Sequence, residues 1–255
     1  MPRAPSLFIG HGSPMNALES SISTQAWATL AQQFPRPRAI LVISAHWVTQ
    51  GVAVTASPRP ETIHDFGGFP RALYEMHYPA PGDPELAQRI QALLAPFQAR
   101  LDPRRGLDHG AWCVLARLYP EADIPVVQLS LDAKREPKEH LAIAQTLATL
   151  RDDHILLLAS GNIVHNLRAF FTSSTIQPWV RTFDNYITQA VEQGDDTALV
   201  NYETHPDASL AAPDWEHFYP ILYAAGGRRP DEQATILRLE YLPGISMTAC
   251  GLGLE

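Results

Sequence analysis

Short, continuous apolar runs rich in β-branched residues recur along the chain and alternate with amphipathic stretches. Such runs suit strands buried on both faces, as in a parallel or mixed sheet covered by helices. Strands that alternate with helices are typical of an α/β architecture. We therefore predict an α/β fold, with a central, mostly parallel or mixed sheet flanked by helices. The predicted strands are 6–10, 39–45, 52–56, 125–130, 155–160, 235–241 and 245–249.

Aspartate and proline mark where several of the intervening helices begin. Asp83 before Pro84 predicts a helix start, because an aspartate side chain caps free N–H groups and proline fits the first turn. Asp108 precedes another apolar stretch in the same way. The turn residues 242–244 predict that the last two strands form an antiparallel hairpin. The predicted helices are 24–33, 84–94, 111–118, 137–150, 178–192 and 216–225.

Nothing in the sequence divides the chain, since it has no internal repeat, no low-complexity tract and no long linker. We therefore predict one domain over residues 1–255. The net charge is −8 and no cluster of Lys and Arg lies beside aromatic residues, so we expect no nucleic-acid partner. No apolar run reaches membrane-spanning length, so we expect no membrane partner. Cys113 and Cys250 lie far apart in apolar surroundings, which is typical of inert buried thiols. This use of cysteine fits the reducing cytoplasm, so we expect a cytoplasmic protein. We expect it to be a monomer or a small homo-oligomer.

Four histidines lie at or near the ends of apolar, strand-like runs, each close to glycine or another small residue or to proline: His11 in FIGHGSPM, His46 in LVISAHW, His165 in SGNIVHN and His217 in WEHFYP. In open α/β sheets the carboxyl ends of the strands face one crevice. Imidazole is the commonest transition-metal ligand and exchanges a proton near neutral pH. The sequence therefore predicts a metal centre with a base beside it.

Each of these histidines also has a plainer interpretation. His11 could simply form a tight turn between two glycines, and His46 could be buried beside Trp47. His217, preceded by Glu216, could be a solvated helix end, or the pair could offer either a carboxylate or an imidazole to a metal. The coincidence of several histidines at several strand ends is what favours a shared ion.

The segment 58–81 differs from the rest, because it is rich in aromatic residues and glycine and has little regular hydrophobic period. A long irregular insertion seldom exists for packing alone, so we predict a lid or a pocket wall. It contains His64 beside Asp65, and His109 beside Asp108 has a similar setting. These two histidines either orient a substrate hydroxyl, steer dioxygen or brace their loops through hydrogen bonds. For the remaining histidines we expect surface positions: His77, His140, His154 and His205.

Other catalytic classes lack their sequence signals. Ser13 and Ser160 lie near glycines, but neither forms a Gly-x-Ser-x-Gly nucleophile elbow. The sequence has no phosphate-binding Walker motif, no dinucleotide-binding glycine pattern and no closely spaced cysteine pairs for a structural zinc.

Several longer strings, in one order over nearly the whole chain, carry a family resemblance. They are GHGSPM at 10–15, SAHW at 44–47, TIHDFGGFP at 62–70, YPAPG at 78–82, DHGAW at 108–112, PVVQLS at 125–130, SGNIVHNL at 160–167 and EHFYPILYAAG at 216–226. Together they resemble the class III extradiol ring-cleaving dioxygenases, the LigB-like family. The likeness is strongest to its DOPA 4,5-dioxygenase branch.

The resemblance implies an α/β fold that carries one non-haem Fe(II) per chain, with Zn(II) possible in its place. His11 and His46 match the two metal-binding histidines of the family. His165 matches the active-site base, which also reaches the ion as a fourth ligand in the absence of substrate. The third ligand corresponds to Glu216 or His217, and we favour His217.

The resemblance also implies a reaction, in which a small DOPA-like or caffeate-like catechol is opened by dioxygen to a muconic semialdehyde. His165, from the resemblance, and His109, from its setting beside Asp108, are the candidate catalytic residues. The candidate substrate-binding residues are His64, Ser44 and Ser13. Two alternatives on the same scaffold stay open. One is a zinc-dependent hydrolase or lyase, and the other a non-catalytic phenolic-binding relative.

Overall fold

One large mixed sheet crosses the protein, as seen in a computed structural model that describes residues 3–254. Its strands are β1 Ser6–Gly10, β2 Ala39–Thr49, β3 Ala53–Thr55, β4 Arg100–Asp102, β5 Val126–Asp132, β6 Ile155–Gly161, β7 Ala234–Leu237 and β10 Ala249–Leu252, while β8 Tyr241–Leu242 and β9 Ile245–Ser246 form a separate small pair. The helices are α1 Ile22–Leu30, α2 Arg71–Tyr74, α3 Pro84–Leu93, α4 His109–Leu118, α5 Pro137–Leu147, α6 Leu167–Thr172, α7 Pro178–Gln193, α8 Asp196–Val200, α9 Ala208–Ala211, α10 Trp215–Phe218 and α11 Pro220–Gly226.

The strand order of the large sheet is β4-β3-β5-β2-β6-β1-β10-β7. The four central strands, β5, β2, β6 and β1, are parallel to one another, and β10 and β7 add an antiparallel margin. The carboxyl ends of parallel strands meet at one edge of a sheet. The register places Gly10 beside Gly161 and Ser44 beside Ser160 at that edge.

These features confirm the predicted α/β class with a mixed sheet flanked by helices. The predicted hairpin is present, but a break splits it into the β8–β9 pair and the β7–β10 pair. Strand β2 is longer than predicted and bulges against β5 between Ile43 and Val48. The predicted helix 216–225 is interrupted before Pro220, because proline has no N–H to donate within a helix. Strand β4 was missed, since it is short, polar and partly exposed.

Helices cover both faces of the sheet, and each face has its own apolar core. Neighbouring residues of a strand point to opposite faces, so Leu41 joins one core and Val42 the other. The first core includes Phe183 of α7 and Ile221 of α11, and the second includes Trp112 of α4. Over residues 3–254, no helix combines the length and apolar character that crossing a membrane requires.

The predicted surface position of His140 is wrong. This residue of α5 is fully buried, with Nδ1 accepting the Tyr223 hydroxyl at 2.9 Å and Nε2 donating to the Asp132 carbonyl at 3.2 Å. Polar neighbours in the sequence suggested exposure, but the helix turns this one position inward. His77 is exposed, and His154 and His205 are partly exposed.

Candidate metal centre

Five histidine side chains gather at the carboxyl edge of the parallel strands, and we term them the histidine centre: His11, His46, His109, His165 and His217. His11 directly follows β1, and His46 lies in the bulged part of β2. His109 lies in the first turn of α4, His165 in the loop after β6, and His217 in α10. The sheet therefore joins segments that are far apart in the sequence.

His11 is held in one orientation by the end of β6. Its backbone N–H donates to the Gly161 carbonyl at 2.9 Å, and its Nδ1 lies 2.9 Å from Ser160 Oγ. The Ser160 hydroxyl donates to the Gly110 carbonyl at 2.6 Å, so its oxygen accepts the Nδ1–H of His11. Nε2 of His11 is then left with a free lone pair. Gly12 turns the chain away with φ of 59°, a left-handed conformation that favours glycine.

His46 faces His11 from the neighbouring strand. The two Nε2 atoms are 3.1 Å apart, and the ring centroids are 5.0 Å apart. His46 lies within the bulge of β2, and bulges commonly redirect a side chain beside an active site. Beneath it, Ser44 Oγ accepts the His46 backbone N–H and donates to the buried carboxylate of Asp108 at 2.6 Å.

His109 begins α4, whose N-terminus Asp108 caps by accepting the Ala111 N–H at 3.2 Å. The His109 ring lies 3.8 Å from that of His46 and 6.0 Å from that of His11. Its backbone N–H donates to Asp65 Oδ1 at 2.9 Å. Its Nδ1 lies 3.0 Å from the same oxygen, although off the line of a well-formed N–H···O bond.

His217 and His165 form the other side of the centre. The two rings stack with centroids 3.6 Å apart and planes 5° from parallel. The His217 ring also lies 5.4 Å from that of His11 and 4.9 Å from that of His46. Backbone bonds fix both segments, because Asn162 N–H donates to the His217 carbonyl at 2.8 Å and His165 N–H to the Ala211 carbonyl at 2.7 Å.

The pKa values of four imidazoles in the centre are lowered, which favours binding of a cation. Burial lowers the pKa of His46 to about 4, assisted by His109, and that of His165 to about 4, assisted by His46. Burial, followed by the neighbouring imidazoles, holds the pKa values of His11 and His217 well below the ordinary value. These four rings are therefore uncharged at neutral pH, which is the form of imidazole that binds a metal.

The donor geometry fits a transition-metal ion. One donor nitrogen each from His11, His46 and His109 lie within 4.8 Å of one another. Two nitrogens bound to one ion at ordinary angles are about 3 Å apart, which matches the Nε2 pair of His11 and His46. In addition, Nδ1 of His165 and Nδ1 of His217 are buried and lack a hydrogen-bond partner in the described part of the chain. Buried polar atoms nearly always have partners, so these also fit a site that receives a ligand.

The structure thus brings together all the histidines predicted as ligands or catalytic residues, but it gathers the closest donor atoms differently. The three histidines whose donor atoms lie closest together are His11, His46 and His109, whereas the sequence favoured His217 as the third ligand. The alternative ligand Glu216 is not among the donors grouped with them within residues 3–254. Its carboxylate lies 4.0 Å from Nδ1 of His217, and burial raises its pKa.

The predicted substrate-binding residues lie in three different settings. Ser44 is fully buried under His46, and this placement suits support of the centre rather than contact with a substrate. Ser13 is exposed and caps a short turn by accepting the Met15 N–H. His64 is half-buried in segment 58–81, where its Nε2 lies 2.9 Å from the Met76 carbonyl.

Sequence reasoning missed the carboxylates that support the centre. Asp108 accepts hydrogen bonds from Ser44, Gln128 and Arg105, and Arg105 also donates to the His46 carbonyl at 3.2 Å. Partial burial raises the pKa of Asp65, but hydrogen bonds and charge from His109 outweigh it and bring the net pKa below the ordinary value. The available signal was an aspartate beside each of His64 and His109, although Asp65 contacts the distant histidine.

Comparisons with known proteins agree with this geometry. The family model described as the catalytic LigB subunit of aromatic ring-opening dioxygenase matches residues 6–248. A 4,5-DOPA dioxygenase extradiol of Escherichia coli strain K12 is 50% identical over 240 residues, covering 92% of this chain and 89% of the relative. The protein of the same name from Beta vulgaris is 40% identical over 246 residues, covering 93% and 92%.

A solved structure gives the same result for the fold. The crystal structure of an uncharacterised Escherichia coli K12 protein superposes with a TM-score of 0.86 at 42% identity, covering 98% of this chain and 99% of that one. The family match and the identities confirm the resemblance drawn from the motifs. The chain belongs to the LigB family of aromatic ring-opening dioxygenases.

Proposed function

We propose that this protein is a metal-dependent extradiol dioxygenase that opens the ring of a small, DOPA-like or caffeate-like catechol with dioxygen, giving a muconic semialdehyde. The observation that carries the proposal is the pair of Nε2 atoms of His11 and His46, which face each other at 3.1 Å in a buried cluster of imidazoles. Membership of the family supports the reaction class. The name of its relatives makes DOPA the first substrate to test.

The ligands we propose are His11, His46 and His217, with His165 as a fourth ligand in the absence of substrate. In support, the rings of His11, His46 and His217 lie at mutual distances of 4.9–5.4 Å, a nearly equilateral arrangement around one point. Among the described residues, Nδ1 of His217 and Nδ1 of His109 both lack a hydrogen-bond partner. A carboxylate oxygen lies 3.0 Å from Nδ1 of His109 but 4.0 Å from Nδ1 of His217, which favours His217 as the ligand. Imidazole donors suit Fe(II) and Zn(II) alike.

The role of the metal is that of the family: Fe(II), when bound, supplies coordination positions for the two catechol oxygens and electron density for dioxygen. The protein supplies the orientation. Ser160 holds His11 with Nδ1–H bonded and Nε2 free, and Ser44 holds the backbone at His46. Fixing the tautomer and the ring plane of a ligand in this way is the usual work of residues behind a metal site.

His165 is the proposed base. It stacks directly on His217, one of the proposed ligands, with ring centroids 3.6 Å apart. Its pKa of about 4 is lower than the near-neutral value expected of a base, because the ring is buried. The ring is therefore uncharged at pH 7 and free to accept a proton from a catechol hydroxyl. The negative charge that the catechol then carries stabilises the imidazolium.

His109 is proposed to orient a substrate hydroxyl from the opposite side of the centre. The ring of Phe66, from segment 58–81, packs edge-on against it with centroids 5.6 Å apart. Phe66 also lies 5.4 Å from Phe69 and 5.2 Å from Tyr74. These aromatic side chains form a partly exposed apolar wall, which suits an aromatic substrate.

The direct test is oxygen uptake. The metal-free protein is loaded with Fe(II) without air, mixed with aerated L-DOPA, caffeate and other catechols, and followed with an oxygen electrode and by visible absorbance. The proposal predicts a yellow product and one dioxygen consumed per catechol opened. Absence of uptake with every catechol, while the zinc-loaded protein turns over an ester or an amide, would identify a hydrolase instead.

A further inference from the structure

Asp65 reaches from segment 58–81 to the first turn of α4 and contacts His109 twice. Its Oδ1 accepts the backbone N–H of His109 at 2.9 Å and lies 3.0 Å from Nδ1 of the ring. The Asp65 side chain is 23% exposed and that of His109 is 8% exposed, so the ring is buried while the carboxylate keeps some access to water. One carboxylate oxygen of Asp65 therefore contacts both the backbone and the ring of His109.

Two aromatic rings lie within 5.6 Å of the His109 ring. The ring of His46 lies 3.8 Å away on the sheet side, and the ring of Phe66, the residue after Asp65, lies 5.6 Å away. Since Nδ1 is the nitrogen at the carboxylate, Nε2 is the nitrogen that the carboxylate leaves free. The imidazole is thus held between β2 and segment 58–81.

Capping of α4 does not by itself account for Asp65. Asp108 already fills the cap position, where it accepts the Ala111 N–H. A second backbone acceptor would stabilise the first turn, but it would not need to lie beside the ring. Carboxylates next to Nδ1 of a histidine commonly set its tautomer and ring orientation. Such hydrogen bonds are often poorly aligned without substrate and straighten in the complex.

We propose that Asp65 is a positioning residue, which holds His109 with Nδ1–H towards its carboxylate and Nε2 free on the substrate side of the histidine centre. Asp65 acts through His109 and touches no reacting atom. The part of His109 in turnover rests on the proposed function, whereas the orientation of its ring does not. Segment 58–81 is thereby coupled to the centre, because any movement of Asp65 releases the ring.

A double-mutant cycle tests whether Asp65 acts through His109. Asp65→Asn keeps an oxygen that accepts the backbone N–H, but it removes the charge beside Nδ1. In Fe(II)-loaded protein of equal metal content we expect kcat to fall about tenfold to a hundredfold, with KM within about threefold. In a His109→Gln background the same substitution should change kcat by less than about twofold, since its target is gone.

Asp83→Asn is the matched control, because Asp83 caps α3 by accepting the Leu86 N–H and belongs to no part of the centre. We expect its kcat to stay within about twofold of the wild-type value. The proposal is overturned if Asp65→Asn leaves kcat unchanged. It is also overturned if Asp65→Asn lowers kcat equally in both backgrounds, which would indicate a purely structural effect.

Nitrogen-15 spectroscopy of the imidazoles provides a readout that needs no turnover. In the diamagnetic zinc-loaded protein, wild-type His109 should carry its proton on Nδ1, and in Asp65→Asn that population should decrease. Identical His109 signals in the two proteins would contradict the proposal. Because the spectrum is independent of activity, failure of every catechol to react would refute the proposed function without deciding this one.

Discussion

The buried His140 and the histidine centre differ in the hydrogen-bond partners of their ring nitrogens. His140, between α5 and α11, uses both nitrogens, one towards Tyr223 and one towards Asp132. In the histidine centre, Nε2 of His11 faces Nε2 of His46, and Nδ1 of His165 and of His217 lack hydrogen-bond partners over the described residues. Burial lowers the pKa of His140 to about 4, as it does for His46 and His165.

Burial and a low pKa therefore do not distinguish a functional histidine from a structural one. The distinction lies in the arrangement, because in the centre several imidazole nitrogens that bond to no other side chain or backbone group lie close together, as the donors to one ion do. His140 completes a hydrogen-bond network within the apolar core, whereas we propose that a cation completes the centre. Each of the following predictions tests this difference, in order of decreasing effect.

The largest effect is expected from removing a shared ligand. His11→Ala should lose both bound metal and activity, because the remaining imidazoles no longer converge on one ion. Metal content by elemental analysis and oxygen uptake would be measured together. His154→Ala is the control and should keep both, because His154 is partly exposed and precedes β6, at the opposite end of that strand from the centre. Full retention of metal by His11→Ala would contradict the proposal that the histidine centre, unlike His140, binds a metal ion.

The next prediction separates the two sides of the centre. His217→Ala should lose the metal, since we propose it as the third ligand, while His109→Ala should retain the metal and keep a lowered but measurable kcat. Metal titration of both variants by calorimetry decides between them. The opposite pattern would favour the donor set His11, His46 and His109, whose nitrogens lie within 4.8 Å of one another.

A smaller loss is expected for the proposed base. His165→Ala should keep most of its metal while kcat falls on the order of a hundredfold, the usual contribution of general-base catalysis. Steady-state oxygen uptake at matched metal content is the measurement. If this variant loses its metal as completely as His11→Ala, then His165 is mainly a ligand and the base lies elsewhere.

The smallest effect concerns His140 and is confined to stability. His140→Gln should cost about 1–3 kcal/mol of unfolding free energy at pH 7.5, with metal binding unchanged, because it disrupts a buried hydrogen-bond pair. A histidine whose pKa is lowered in the folded state contributes stability above its unfolded pKa, and that stability is lost as the pH falls. Wild-type stability should therefore decrease faster than that of the variant below pH 6.5.

The difference in unfolding free energy between wild type and His140→Gln should be about 2 kcal/mol smaller at pH 5 than at pH 7.5, given a folded pKa of about 4 for His140. Urea unfolding of both metal-free proteins at pH 7.5, 6 and 5 would measure it. Since both proteins contain the same histidine centre, its own titration cancels. A gap that stays constant over this range would show that His140 is not held uncharged by the fold.

Much of the fold was predictable because β1, β2, β5 and β6 are apolar runs whose burial on both faces leaves a local signature. The same runs located His11 and His46 at strand ends, although the bulge that contains His46 was invisible, since bulges depend on pairing with β5. The family motifs, rather than periodicity, supplied the roles of His165 and His217.

The supporting contacts could not be predicted, because they join residues that are distant in the sequence. Asp65 and His109 are 44 positions apart, and Ser44 and Asp108 are 64 apart. Likewise, the burial of His140 depends on Tyr223, which packs against it from α11. A single sequence records which side chains are capable of such contacts but not which of them meet.

The central claim is that imidazoles from separate segments share one ion, and anomalous diffraction from anaerobic crystals loaded with Fe(II) tests it most directly. The account predicts one iron peak per chain, about 2 Å from Nε2 of His11 and of His46, with His217 as the third ligand. A peak outside these rings, or no peak between His11 and His46 in fully loaded protein, would contradict it.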